Sequence, residues 1–239
     1  MAADVLVLSP HPDDAALSLG SAIAHRHWGE CTVVNVFSDQ RYSLLSGTDI
    51  GDILDEDEAA LRELGAEAIM LGLPEADVRL HRRPSELMGY RAENLARSAD
   101  SVVLPLVLGA LRDHLMRSAP SVVCIPLAVG GHVDHVLVRE AALVLLREMA
   151  YGGIPSRWCF YEDLPYALTP RATSEAVETL AVYGISTRPE LMQDADAGAA
   201  KRSALSHYRT QLTQSMIERV VRHGQSYEPN VWGERTWWA

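Results

Sequence analysis

A three-layer, Rossmann-like α/β fold with a mostly parallel sheet flanked by helices is predicted by three observations. Short apolar runs of strand length alternate with helix-length segments, the pattern of βαβ units. Most of these runs are continuously apolar rather than alternating, as strands covered on both faces must be. The 239 residues contain no internal repeat, low-complexity tract or linker that would divide them. We therefore expect one domain over residues 1–239, with the less regular stretch 171–239 packed on it.

Val5 to Ser9 is an apolar run ending at a proline, a first strand. Asp14 to Trp28 carries Leu17, Leu19, Ile23 and Ala24 and stops at Gly29, so it reads as a helix. Cys31 to Phe37 is β-branched and apolar, a second strand, followed by a polar loop from Ser38 to Gly51. Asp52 to Leu64 is a helix closed by Gly65, and Ala68 to Leu71 a third strand. Glu75 to Ala99 reads as loop with helical pieces, and Val102 to Arg117 as a helix. Ser121 to Pro126 is a fourth strand, His135 to Met149 a helix and Arg157 to Tyr161 a fifth strand. Beyond Pro170, Ala176 to Val182 reads as an edge strand and Lys201 to Gln214 as a helix. The tail from Ser226 holds three of the five tryptophans, whose rings suit a hydrophobic subsite or a subunit contact.

Bulk chemistry excludes several functions. The net charge of −11, from 21 basic and 32 acidic residues, argues against nucleic acid and against docking on an anionic membrane. No run approaches the ~18 apolar residues of a membrane span. The first apolar run follows Asp4 with no basic residue, so no secretory leader is expected. Cys31, Cys124 and Cys159 are far apart and read as buried reduced thiols of a cytoplasmic protein.

Two motifs leave the ends of apolar strands. In His11-Pro12-Asp13-Asp14, Pro12 suits a first helical position, and carboxylates in a first turn can cap a helix. Capping does not call for two adjacent carboxylates with a histidine three residues before one of them. His11 and Asp14 can converge on one point, and imidazole and carboxylate are zinc ligands at roughly 2.0–2.2 Å. Asp13 faces elsewhere, free to take a proton from water. In Gly130-Gly131-His132-Val133-Asp134-His135, the glycines allow a tight path. His132 and His135 share one face of a helical turn, and Asp134 can bond one imidazole and fix its tautomer. Together the motifs suit a catalytic zinc site with an open position; there is no CxxC pair for a structural one.

The segments Val5 to Asp14 and Gly130 to His135 resemble the LmbE/PIG-L-like zinc-dependent N-deacetylases. Tyr161 to Tyr166 and Lys201 to Gln211 are also similar, so the likeness runs from about residue 5 to 215. It implies His11, Asp14 and His135 as ligands of one Zn2+, with Fe2+ or another divalent transition metal an alternative. It implies Asp13 as general base, and His132 as a cationic partner that stabilises the oxyanion, with either of the two a candidate to protonate the leaving amine. Asp134 would orient a neighbouring histidine. The implied substrate is a small acylated amine, typically an N-acetyl amino sugar or a related amide in secondary metabolism. Two departures stand out: Ala15 replaces a glutamate common in the family, and Ile53 to Glu56 lacks an arginine that contributes to sugar binding. Arg41 and Arg79, near strand ends, are candidates to replace that arginine. A silent small-molecule binder and a two-metal phosphatase or nuclease are the rival readings, the latter short of further ligand motifs. No Gly-x-Ser-x-Gly or Gly-x-Gly-x-x-Gly is present to support a serine hydrolase or a dinucleotide enzyme. Oligomeric state, a homo-oligomer included, is not readable from the sequence.

Overall fold

The computed structural model of the chain describes residues 4–39, 50–80, 84–169 and 171–239. The described strands are β1 (Val5–Ser9), β2 (Cys31–Asn35), β3 (Glu67–Met70), β4 (Val122–Pro126), β5 (Arg157–Tyr161), β6 (Arg188–Gln193) and β7 (Gly233–Trp238). They form one sheet in the order β3-β2-β1-β4-β5-β7-β6. The first five run parallel, and β7 lies antiparallel between β5 and β6. Every residue of β1, β2 and β4 is buried, as strands covered on both faces require.

The described helices are α1 (Asp14–Ala24), α2 (Ile50–Leu64), α3 (Ala76–Leu80), α4 (Ala92–Leu95), α5 (Leu104–Ser118), α6 (Val133–Tyr151), α7 (Ala172–Val182), α8 (Ala199–Leu205) and α9 (Gln214–His223). α1 packs with α2 and α8, and α5 packs with α6. None of these helices is long and apolar enough to cross a membrane. The three cysteines are buried and unbridged, with Cys124 and Cys159 adjacent on β4 and β5.

Three expectations change beyond residue 170. Residues 172–182 form helix α7 rather than an edge strand, because Thr173, Ala176 and Leu180 bury one helical face. The predicted helix from Lys201 to Gln214 is split: α8 ends at Leu205, and α9 begins at Gln214 behind the N-cap Thr213. The tryptophan-bearing tail is strand β7, inside the sheet. Its buried Glu234 takes hydrogen bonds from Ser21 N and Ala22 N at 3.1 and 2.8 Å, where α1 departs from helical geometry at Leu19. Buried Lys201 of α8 meets the same carboxylate at 2.8 Å. This pairing fastens the C-terminal strand to the helix that carries the first motif.

Strand order reverses between β1 and β4: β2 and β3 lie on one side, β5 on the other. Loops leaving such neighbours diverge and open a crevice at the carboxyl ends, where ligands of open α/β sheets bind. His11 follows β1 and His132 follows β4, so the switch point lies between the two motifs.

Candidate active site

The β1 end is stapled from within. Ser9 Oγ donates to His11 O at 2.8 Å and accepts from Ala15 N at 3.2 Å. Asp13 occupies the N-cap position of α1 with φ 143° and ψ −32°, and its side chain makes no capping bond. A positive φ at a non-glycine costs on the order of 1–3 kcal/mol and persists where surroundings enforce it. Asp14 Oδ2 accepts from His11 N at 2.9 Å and lies 3.2 Å from His11 Nδ1. Neither carboxylate side chain caps the helix, so capping does not account for this motif.

The β4 end depends on its glycines. Gly89 N and Tyr90 N donate to Gly130 O and Gly131 O at 3.1 and 2.8 Å. Gly131 has φ +69°, and a Cβ there would stand 2.6 Å from Tyr90 O. Only glycine permits this approach. The pairing ties the segment after β3 to the loop that presents His132. That histidine N-caps α6, its Nδ1 accepting from Asp134 N at 3.3 Å. The tautomer this bond implies carries its proton on Nε2. One turn on, fully buried His135 is bonded through Nδ1 to Asp163 Oδ1 at 2.6 Å.

The motifs meet in one centre. The rings of His11, His132 and His135 have centroids 5.1, 5.2 and 5.3 Å apart, and a nitrogen of each lies within 4.8 Å of the others. Asp14 Oδ2 lies 3.3 Å from His135 Nε2. That nitrogen is buried and has no hydrogen-bond partner among the described residues. An imidazole held from behind by a carboxylate, with its far nitrogen orphaned beside a second carboxylate and a second imidazole, fits a metal ion. His132 is the poorer donor of the three histidines, because a protonated Nε2 offers no lone pair.

Charge arrangement agrees. Burial opposes charging His135, but Asp14 beside it and the bond to Asp163 lift its pKa to about 9. Burial likewise opposes charging His11, and the Glu75 charge with bonds to Asp134 and Asp14 lifts it well above the usual value. Burial works against ionised Asp14 too, yet the charges of His135 and His11 hold it far below the carboxylate range. Asp13 is pushed well up, by burial first and by Asp14 second. His132 goes the other way: burial and the charge on His11 pull it down to about 3. These surroundings bias the ring towards its neutral form, where the resemblance implied a cation.

Asp134 orients a histidine, but its partner is on the other motif. Its Oδ2 lies 3.1 Å from His11 Nε2, 123 positions away, and accepts from Ala76 N at 3.0 Å. Arg79 is on α3, with a side chain 8% exposed and engaged by Asp134 and Asp100. Both carboxylates thus engage the guanidinium that was a candidate for substrate binding. Arg41 lies outside the described residues. Asp163 and Tyr166 were not singled out from sequence, although both lie in the quoted segment Tyr161 to Tyr166. Tyr166 stacks on His132 with centroids 6.2 Å apart and meets His135 edge-on at 5.2 Å. On α2, where the family arginine is missing, Glu56 accepts from Thr210 and Asp57 accepts from Asn35 and Tyr208. Burial raises Asp57 to about 7. His25, Asp194 and Asp196 also cluster, but Asp194 already accepts from Ser21 Oγ, Asp196 N and Gly198 N.

The profile of the GlcNAc-PI de-N-acetylase (PIG-L) family matches residues 6–146. The 2'-N-acetylparomamine deacetylase of Streptomyces fradiae is 34% identical over 243 residues, spanning 95% of this chain and 80% of that protein. A deacetylase of teicoplanin biosynthesis superposes with TM-score 0.75 at 21% identity, covering 98% of this chain and 96% of its own. The zinc-inhibited form of a teicoplanin deacetylase gives TM-score 0.73 at 22% identity, covering 98% and 97%. At these identities the two structures establish a shared fold.

Proposed function

Since the chain belongs to the GlcNAc-PI de-N-acetylase (PIG-L) family, we propose that it hydrolyses the N-acetyl amide of an amino-sugar-containing natural product with the aid of one divalent metal ion, Zn2+ by preference. The observation that carries this reading is the orphaned Nε2 of His135, fixed from behind by Asp163 and aimed at Asp14. His11, Asp14 and His135 would hold the ion. When bound, it would polarise the amide carbonyl and bring the pKa of an attacking water towards ~7.

The remaining chemistry falls to this chain's residues. Asp13 takes the proton of the attacking water and returns it to the departing amine. A carboxylate held above its normal range by burial and by Asp14 is suited to both steps. His132 donates from Nε2 to the carbonyl oxygen as that oxygen gains charge. Tyr166 covers the rings of His132 and His135 and narrows the access of bulk water. The net charge of −11 suits a substrate that carries, or releases, free amines. Three buried free thiols support work in the reducing cytoplasm.

The test is acetate release. Metal-free protein is reconstituted with Zn2+, Co2+, Mn2+ or Fe2+, each titrated from below one equivalent because a relative is known in a zinc-inhibited form. The substrates are an N-acetylated aminoglycoside such as 2'-N-acetylparomamine and an N-acetylglucosaminyl glycopeptide. Turnover restored by one of the ions is expected. No acetate from any pairing would remove the reading.

A further inference from the structure

The segment after β3 reaches the metal centre through one buried arginine. Arg79 Nη2 donates to Asp134 Oδ1 at 2.8 Å and to Asp100 Oδ1 at 2.9 Å. Nη1 donates to Pro74 O at 2.7 Å, and the guanidinium carbon sits 4.9 Å from the centroid of the Phe37 ring. Nε is buried rather than offered to the crevice. A guanidinium committed to two carboxylates and a carbonyl has little left with which to bind a sugar. What it does hold is Asp134, whose other oxygen, Oδ2, faces His11 Nε2 at 3.1 Å.

We propose that Arg79 is a positioning residue for His11, acting through Asp134, and that Asp100 holds Arg79 in place for it. This rests on the reading of His11 as a metal ligand. Asp134 has no solvent exposure, so its Oδ1 has no water to turn to if the guanidinium is lost. A buried carboxylate lacking that partner rotates towards other donors. That rotation withdraws the acceptor that keeps a proton on His11 Nε2. That proton leaves Nδ1, the nitrogen beside Asp14, as the lone pair for the ion. Arg79 and the N–H of Ala76 both engage Asp134, so α3 is tied to a ligand on the opposite motif.

The experiment measures zinc affinity by competition with a chromophoric chelator for metal-free wild type, Arg79→Gln, Arg79→Lys and Asp100→Asn, with His11→Ala as reference. Arg79→Gln is expected to weaken zinc binding roughly 10–100-fold, the usual effect of losing a group that orients a ligand. Arg79→Lys should recover part of it, because an ammonium can still reach Asp134. Asp100→Asn, which keeps an oxygen acceptor for Arg79, should show a smaller loss in the same direction even if Arg79→Gln folds poorly. At saturating metal, KM for the amide should stay near wild type. Unchanged zinc affinity in Asp100→Asn and in folded Arg79→Gln, with a raised KM, would overturn the proposal and return Arg79 to substrate binding. Zinc binding by His11→Ala as tight as wild type would remove the ligand reading itself, and the proposal with it.

Discussion

His132 and His135 stand on one turn of one helix, yet they sit in opposite surroundings. Behind His135 lies Asp163, and behind His11, across the crevice, lies Asp134; both imidazoles are biased towards holding positive charge. Behind His132 lies a backbone N–H, and burial with the charge on His11 biases this ring towards the neutral form. Three residues of spacing do not separate the proposed ligand from the proposed donor here. The group behind each ring does, because a carboxylate there makes the far nitrogen a better lone pair and an N–H there makes it a donor.

Variants can break this division, and the largest effect is expected beside the ligands. Asp13→Asn should lower kcat by about 10²–10⁴-fold with bound metal unchanged by elemental analysis. Asparagine has the shape of aspartate, so the substitution makes no new steric demand at this position. Loss of metal would place Asp13 among the ligands instead. His132→Gln should cost about 10²–10³ in kcat with zinc affinity preserved. A collapse of zinc affinity would instead support a three-histidine set of His11, His132 and His135. Asp163→Asn should weaken zinc roughly 10–100-fold, and the same substitution at a residue without a bond to His135 should not.

The smallest expected effect concerns pH. On the proposed ligand set zinc would displace the proton of His135, so apparent affinity should climb with pH and level off above about 9. Metal-free protein should behave inversely. The pKa of His135 is raised on folding, so its contribution to stability is complete below the unfolded value of ~6.5 and is lost as pH rises through the folded value. Melting curves of metal-free protein across that interval check this, and a melting temperature flat in pH would remove His135 from the charged cluster.

Much of the parallel half of the fold was legible. β1, β2, β4 and β5 are dense apolar runs, and burial on both faces is what makes such runs conspicuous. β6 has a single buried residue, Met192, and so carries no hydrophobic pattern to read. β7 does alternate, but its buried face includes Glu234 and Thr236, so the period is hidden in polar residues that Lys201 and α1 make tolerable. α7 misled because Val177 and Val182 suit a strand, while its one buried helical face is small. The two motifs announced the centre through the density of titratable residues in few positions. Their supports were silent: Asp163 lies 28 positions from His135, and Asp134 serves a histidine 123 positions away. Such partners are chosen by the sheet, not by local spacing.

The pairing of β1 with β4 has a consequence for how the chain folds. Val5 stands beside Val122, so His11 and Asp14 meet His135 only once two strands remote in the chain have paired. Closing so long a loop is costly in chain entropy and disfavours early formation. An ion that needs all three proposed ligands would therefore bind late rather than at the folding nucleus. It would add to the barrier against unfolding and leave the folding rate nearly as it was. Metal held as proposed would then be a brake on losing the fold, with a lifetime under chelator set by how rarely β4 parts from β1.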